Sequence, residues 1–356
     1  MPEPRQKKPV LLVLGRLLTP YDVALRERFT CHDAILPENV ARIVASHAHE
    51  IEAIALINEL GVDGQLIAAL PALAMIANFG AGYDDIDLAA AAARGLVVTN
   101  TPDVTTEEVA DVAMALLVMA VRNLGAAERF LRAGKWSDST AFPLSIGTLR
   151  GRRLGIFGYG RIGQAVARRA PAFGLEVAYH SRCPVEGSAG RYFPSLREMA
   201  EHVDTLMICA AGGAGTRHSI NSEILDLLGP EGILVNISRG SVVDTAALTQ
   251  ALRDRRILGA ALDVYEGEPQ VPPALLELDN IVLMPHLGSG SQHTHRMMAK
   301  LTYDNLVAWF ETGRPLTPIV ESEAWIRAFL NVKITSIFTS KRRFYFGNRS
   351  KSLIFR

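Results

Sequence analysis

Gly158-Tyr159-Gly160-Arg161-Ile162-Gly163 is a GxGxxG unit that directly follows the strand-like run Leu154–Phe157 and opens a helix-like segment, Arg161–Ala170. In that setting each glycine has its own use. Gly158 allows the tight turn, Gly160 lets the backbone approach a pyrophosphate, and Gly163 lets helix and strand pack closely. Phosphate then rests on the helix N-terminus, beside Arg161 and Ile162, where amides and dipole favour an anion. The following strand, read as Glu176–Tyr179, ends at His180-Ser181-Arg182, where NAD-preferring sites carry Asp or Glu for the ribose hydroxyls. No carboxylate stands there. Ser181 can donate to a 2′-phosphate, and Arg182 can pair with it and stack on adenine, so NADPH is expected over NADH. The competing reading of Ser181-Arg182 is a solvated loop start.

Two series of alternating elements have to hold this unit in place. The first runs through apolar segments at Val10–Leu14, Glu52–Leu56, Leu73–Ala77 and Leu96–Val98, with helix-like stretches at Tyr21–Phe29 and Asp87–Arg94. The second runs through Arg152–Phe157, Glu176–Tyr179, Thr205–Cys209, Ile233–Ile237, Ala260–Leu262 and Ile281–Met284. Strand and helix in alternation predict parallel sheets. The expected class is therefore α/β, with two Rossmann-like domains: a doubly wound dinucleotide-binding domain over 102–288, and a flavodoxin-like substrate domain over 1–101 plus 289–322. Thr105–Leu124 is apolar nearly all round and is expected as a buried helix that crosses between the domains and suits a subunit interface. Gln292–Thr312, stopped by Gly313 and Pro315, is expected as a long helix returning to the first domain.

Composition narrows the function class. Hydrophobic residues make up 49% of the 356, yet runs such as Val10–Leu14 and Ala113–Val121 are too short to span a bilayer, and the start lacks a secretory pattern. A cytoplasmic protein without membrane partners is expected. Cys31, Cys183 and Cys209 are scattered, with no CxxC pair and no metal-ligand spacing. The 37 basic and 37 acidic residues balance, which gives no general field for nucleic acid. The balance hides an asymmetry. From Glu323 onward one acid faces Arg327, Lys333, Lys341, Arg342, Arg343, Arg349, Lys351 and Arg356, so residues 323–356 form a basic tail foreign to the body.

Four segments, taken in order, resemble the D-isomer-specific 2-hydroxyacid dehydrogenases, especially their NADPH-dependent hydroxyphenylpyruvate and glyoxylate/hydroxypyruvate reductases. They are Asn78-Phe79-Gly80-Ala81-Gly82-Tyr83-Asp84-Asp85-Ile86-Asp87, the GxGxxG unit, Asn236-Ile237-Ser238-Arg239-Gly240, and Leu262-Asp263-Val264-Tyr265-Glu266-Gly267-Glu268-Pro269 with Pro285-His286-Leu287-Gly288-Ser289. The resemblance runs from about Val10 to Val320 and implies that Arg239, Glu268 and His286 act together on a 2-keto acid.

That chemistry is sensible in itself. A permanently charged, planar guanidinium suits a carboxylate and carbonyl, and an imidazole held by a carboxylate can hand over a proton near neutrality. Taken singly, Arg239 reads as a surface or capping residue, His286 as structural and Glu268 as a turn carboxylate. The resemblance also implies that Ile237 lines the cofactor, that Asp263 faces the nicotinamide carboxamide, and that Ala81 and Gly82 offer amides to the substrate carboxylate. Asp84, Asp85 and Asp87 read as helix-start residues rather than metal ligands. Two departures stand out: Asp111 where the family commonly has Glu, and Ala211-Gly212-Gly213-Ala214-Gly215 in place of a Pro/Thr-containing loop.

The resulting expectation is an NADPH-dependent reductase of a small 2-keto acid, homodimeric, without nucleic-acid, membrane or metal partners. An aromatic keto acid such as 4-hydroxyphenylpyruvate is the alternative substrate. A corepressor-like dinucleotide sensor is the alternative from another class, and formate-dehydrogenase-like chemistry fits the Glu268 and His286 pairing less well.

Overall fold

The computed structural model of the chain describes residues 7–57, 60–145 and 147–322. The basic tail at 323–356 lies outside the described residues. The chain divides into two compact units: one holds everything up to Thr101 and from Met298 onward, and the other is Pro102–Met297.

In the first unit five strands, β1 (Val10–Leu14), β2 (Thr30–Ala34), β3 (Ile51–Leu56), β4 (Met75–Asn78) and β5 (Val97–Thr99), form a parallel sheet in the order β2-β1-β3-β4-β5. This is the flavodoxin-like order expected for the domain. All five residues of β1 are buried, as a strand covered on both faces requires. Leu12, Ile54 and Ile76 point into one layer, while Leu11, Ala53 and Met75 meet Leu306 of the helix Gln292–Thr312 on the other. The last described residue also belongs here: buried Ser322 accepts from the Val98 amide at 2.9 Å through its hydroxyl.

The second unit carries seven parallel strands: β6 (Arg153–Phe157), β7 (Glu176–His180), β8 (Arg191–Phe193), β9 (Thr205–Ile208), β10 (Ile233–Asn236), β11 (Gly259–Leu262) and β12 (Ile281–Leu283). Their order is β12-β11-β10-β9-β6-β7-β8. The direction of winding reverses between β6 and β9, and such a switch point opens a crevice at the carboxyl ends of the strands.

Two expectations need correction. The helix Thr106–Arg122 is no crossing between domains: Val109, Ala113, Leu117 and Val121 lie in the core of the second unit with Leu154, Val235 and Ala261. Val112, Val118, Met119 and Ala120 of the same helix are only half-buried by that sheet. The return to the first unit falls at Met298, inside the helix Gln292–Thr312, and not at residue 289. Among the described residues no single helix is long and apolar enough to cross a membrane.

Candidate active site

The dinucleotide loop is built by close approach. Gly158 adopts φ +95, and a Cβ there would stand 2.4 Å from the Ala210 amide nitrogen; at Gly163 one would stand 2.2 Å from the Gly158 carbonyl oxygen. Only glycine lets β6 turn so directly into the helix Arg161–Arg169. At Gly160 the same position has nothing within 4 Å, so the space beside the helix N-terminus is open on the side where a phosphate would approach. Ile162 and Ile237 pack against the core cluster behind this loop, and Arg161 is paired with Asp103 at 2.7 Å.

Strand β7 ends at His180, which leaves Ser181 and Arg182 as the first residues beyond it. Arg182 is exposed, and the Ser181 hydroxyl donates to the Cys183 carbonyl at 2.6 Å. The unusual glycine-rich loop after β9 is closed from inside by Thr216. Its hydroxyl lies 2.7 Å from the Ala211 carbonyl, and its amide donates to the Gly213 carbonyl at 3.1 Å.

Arg239, Glu268 and His286 leave the carboxyl ends of β10, β11 and β12, which are neighbours in the sheet. His286 Nδ1 lies 2.6 Å from Glu268 Oε2. The other oxygen of Glu268 accepts from the Tyr265 amide at 2.6 Å, so the carboxylate is held from both sides. Burial pushes the Glu268 carboxyl up, but the bonds from His286 and the Tyr265 amide and the charges of His286 and Arg239 outweigh it; the net position is below the ordinary carboxylate range. His286 is moved the other way. The Glu268 bond raises it, burial opposes, and the charge of Arg239 works against those of Glu268 and Asp263, with a net rise above the ordinary imidazole value. The pair thus favours carboxylate with imidazolium.

Several residues of the quoted segments support the site in ways that the sequence does not announce. Asn236, wholly buried at the end of β10, donates to the Arg239 carbonyl at 2.9 Å and accepts from the Ser238 amide at 3.0 Å, which shapes the turn that presents Arg239. Tyr265 reaches across to donate its hydroxyl to the Met284 carbonyl at 2.7 Å, tying the Glu268 turn to the strand end that bears His286. Burial pushes the Tyr265 hydroxyl up to about 12, so it remains a donor at any working pH. Asp263 is 1% exposed, and its two oxygens accept from the Leu287 and Gly288 amides at 2.8 Å each. The sequence reading gave Asp263 only the nicotinamide as a partner; within the protein it fixes the loop that carries His286.

In the first unit, the loop after β4 turns its carbonyls inward. Asn78 donates to the Gly80 and Gly82 carbonyls at 3.3 and 2.8 Å, and Asn100 to that of Ala81 at 2.8 Å. Asp87 caps the helix Leu88–Ala93 by accepting from the Ala90 amide at 2.9 Å.

A doubly wound sheet with a glycine loop at its switch point, and an imidazole-carboxylate pair at neighbouring strand ends, defines a nucleotide-dependent oxidoreductase. Residues 114–288 match the D-isomer specific 2-hydroxyacid dehydrogenase, NAD binding domain. The chain is 41% identical over 278 residues to a glyoxylate/hydroxypyruvate reductase of Arabidopsis thaliana, covering 78% of this chain and 88% of the relative. It is 42% identical over 278 residues to a hydroxyphenylpyruvate reductase of Plectranthus scutellarioides, with the same coverage of 78% and 88%. Among solved structures, the NADPH-dependent glyoxylate/hydroxypyruvate reductase of Sinorhizobium meliloti in complex with NADP and malonate is 47% identical; the match covers 89% of this chain and 98% of that one, with a TM-score of 0.84. The chain belongs to the D-isomer-specific 2-hydroxyacid dehydrogenase family and is an NAD(P)-dependent oxidoreductase.

Proposed function

We propose that the protein reduces a small 2-keto acid of the glyoxylate/hydroxypyruvate type to the D-2-hydroxy acid, with NADPH preferred over NADH. The observation that carries this reading is the 2.6 Å contact between His286 and Glu268, one strand along from Arg239. NADPH, when bound, supplies the hydride. The loop Gly158–Gly163 would hold its pyrophosphate, and Ser181 and Arg182 would take the 2′-phosphate that a carboxylate at this strand end would repel. Arg239 pairs with the carboxylate of the keto acid and polarises its carbonyl. His286 gives its proton to the carbonyl oxygen as negative charge develops there, while Glu268 fixes the ring and stabilises the charged imidazole until the transfer. Asp263 and Tyr265 keep the two loops in register. The family resemblance assigns the Ala81 and Gly82 amides to the substrate carboxylate.

The relative named hydroxyphenylpyruvate reductase supports an aromatic keto acid as the second reading. A homodimer is part of the proposal. Leu131, Trp136 and Leu144 are 57%, 71% and 95% exposed in the segment that follows the helix Thr106–Arg122, where a second copy would cover them. A panel of 2-keto acids assayed with NADPH and with NADH tests substrate and cofactor together. Turnover of glyoxylate and hydroxypyruvate ahead of 4-hydroxyphenylpyruvate supports the first reading, and the reverse order supports the second. Dinucleotide binding without turnover of any of them would make the protein a sensor.

A further inference from the structure

A second carboxylate-imidazole pair sits behind the first, on the same turn. Glu266, two residues before Glu268, places Oε1 2.7 Å from His218 Nε2, with Arg217 Nη2 at 3.6 Å from the same oxygen. Its Oε2 accepts from the Thr245 hydroxyl at 2.8 Å and, more weakly, from the Thr245 amide at 3.4 Å. One side chain thereby ties together three segments: the loop leaving β9, which carries His218; the one leaving β10, which carries Arg239 and leads into the helix that starts at Thr245; and its own, leaving β11.

The first two loops are already laced together. The His218 amide donates to the Ser241 carbonyl at 2.9 Å, the Ile220 amide to the Val242 carbonyl at 3.1 Å, and Ile220 pairs with Val243 in a short parallel bridge. His218 sits at φ +50, a left-handed conformation unusual for a residue with a side chain, so the ring is held in place at a local cost. The third loop is pressed against the second without slack. A Cβ on Gly240 would fall 1.9 Å from the Tyr265 carbonyl carbon, so the backbone next to Arg239 lies directly on the backbone next to Glu266. Burial pushes the Glu266 carboxyl up, yet its bonds to His218 and Thr245 hold it below the ordinary range, and it stays an acceptor at neutral pH.

We infer that Glu266, clamped by His218 and Thr245, is a positioning residue that sets where Arg239 and the Glu268–His286 pair stand relative to one another, an inference that rests on the mechanism proposed above. It touches no reacting atom. Its effect on the reaction is geometric: if the clamp is released, the turn Tyr265–Glu268 loses the anchor opposite His286, and misplacement by about 1 Å is enough to cost on the order of a hundredfold in rate.

The test compares Glu266→Ala, Glu266→Gln and His218→Ala with the parent. It measures kcat, KM for the keto acid, NADPH affinity by fluorescence titration, melting temperature and the alkaline limb of the pH profile. That limb reports His286, which Glu268, Arg239 and Asp263 face. For Glu266→Ala we expect kcat to fall roughly ten- to a hundredfold, the limb to move to lower pH as Glu268 loses its alignment with His286, and NADPH affinity to stay as in the parent. Glu266→Gln should recover most of the rate, since a carboxamide can still accept from Thr245 and donate to His218. Should Glu266→Ala fail to fold, the same loss and the same displaced limb in His218→Ala, which leaves Glu266 Oε1 without its imidazole partner, carry the expectation. Parent kcat and an unmoved limb in the folded variants would overturn the inference, as would a loss of melting temperature and NADPH affinity with the limb unmoved. His286→Ala run alongside separates the two levels, because activity retained there would overturn the mechanism itself and not the clamp.

Discussion

Replacing Glu268 by Gln removes one charge and almost no volume, and it isolates what the carboxylate does for His286. In the parent, Glu268 raises the imidazole against the opposing pull of burial and of the Arg239 charge. Once the carboxylate is gone those opposing influences act with only Asp263 against them, so the ring loses its proton at lower pH than before. A hydrogen bond to a charged partner is worth roughly 1.5–3 kcal/mol, which converts to roughly ten- to a hundredfold in rate if the bond matters fully in the transition state. The His286 side chain is 40% exposed, so screening by water places the expected loss toward the lower end, about tenfold in kcat/KM at neutral pH.

The assay is NADPH oxidation followed by absorbance across pH. Reduction requires charged His286, so its rate should fall as pH rises through the imidazole, and in Glu268→Gln that fall should begin at lower pH. Oxidation of the hydroxy acid requires neutral His286 and should rise over the same interval. The stability effects have their own signs. His286 is raised on folding, so its contribution is present at low pH and is lost as pH rises through the raised value; Glu268 is lowered, so its contribution is present above the ordinary carboxylate range and is lost as pH falls through the lowered one. Glu268→Gln kinetics that match the parent at every pH would refute the reasoning.

Arg182→Ala should erase most of the preference for NADPH while barely changing the rate with NADH, and Ser181→Asp should reverse the preference; equal loss with both cofactors would show that neither residue meets the 2′-phosphate. Gly240→Ala should destabilise by at least about 1–3 kcal/mol and abolish turnover, because the added Cβ overlaps the Tyr265 backbone; a normal melting curve would contradict the packing. Ser322→Ala should lower stability by about 1–3 kcal/mol with the kinetics of the folded enzyme unchanged, since it strands the buried Val98 amide of β5, and a denaturation midpoint equal to the parent's would discard that contact.

How much of this is legible in the sequence depends on how local each feature is. Apolar runs such as Val10–Leu14 and Ile233–Asn236 announce buried central strands, and the glycine loop is recognisable because its turn, helix and strand are contiguous. The strands that escape notice are β2, Thr-Cys-His-Asp-Ala, and β8, Arg-Tyr-Phe. Both lie at sheet edges and pair on one side only, so neither needs a continuous apolar run.

The helix Thr106–Arg122 shows the converse error: an apolar surface predicts burial but not against what, and here the sheet of its own unit takes it. Arg239, Glu268 and His286 are visible through resemblance alone, because their meeting depends on β10, β11 and β12 being neighbours. The clamp from Glu266 to His218 spans 48 residues of sequence, and the hold of Tyr265 on Met284 spans 19. Contacts of that range leave no periodicity and no motif. The deciding information is strand order, which only the folded chain supplies.

The central claim is that His286 donates the proton that completes keto-acid reduction, and single-turnover hydride transfer in His286→Ala at saturating NADPH and glyoxylate tests it most directly. A rate lower by about a hundredfold or more, with NADPH affinity equal to the parent's, is the predicted result. A single-turnover rate equal to the parent's would contradict it.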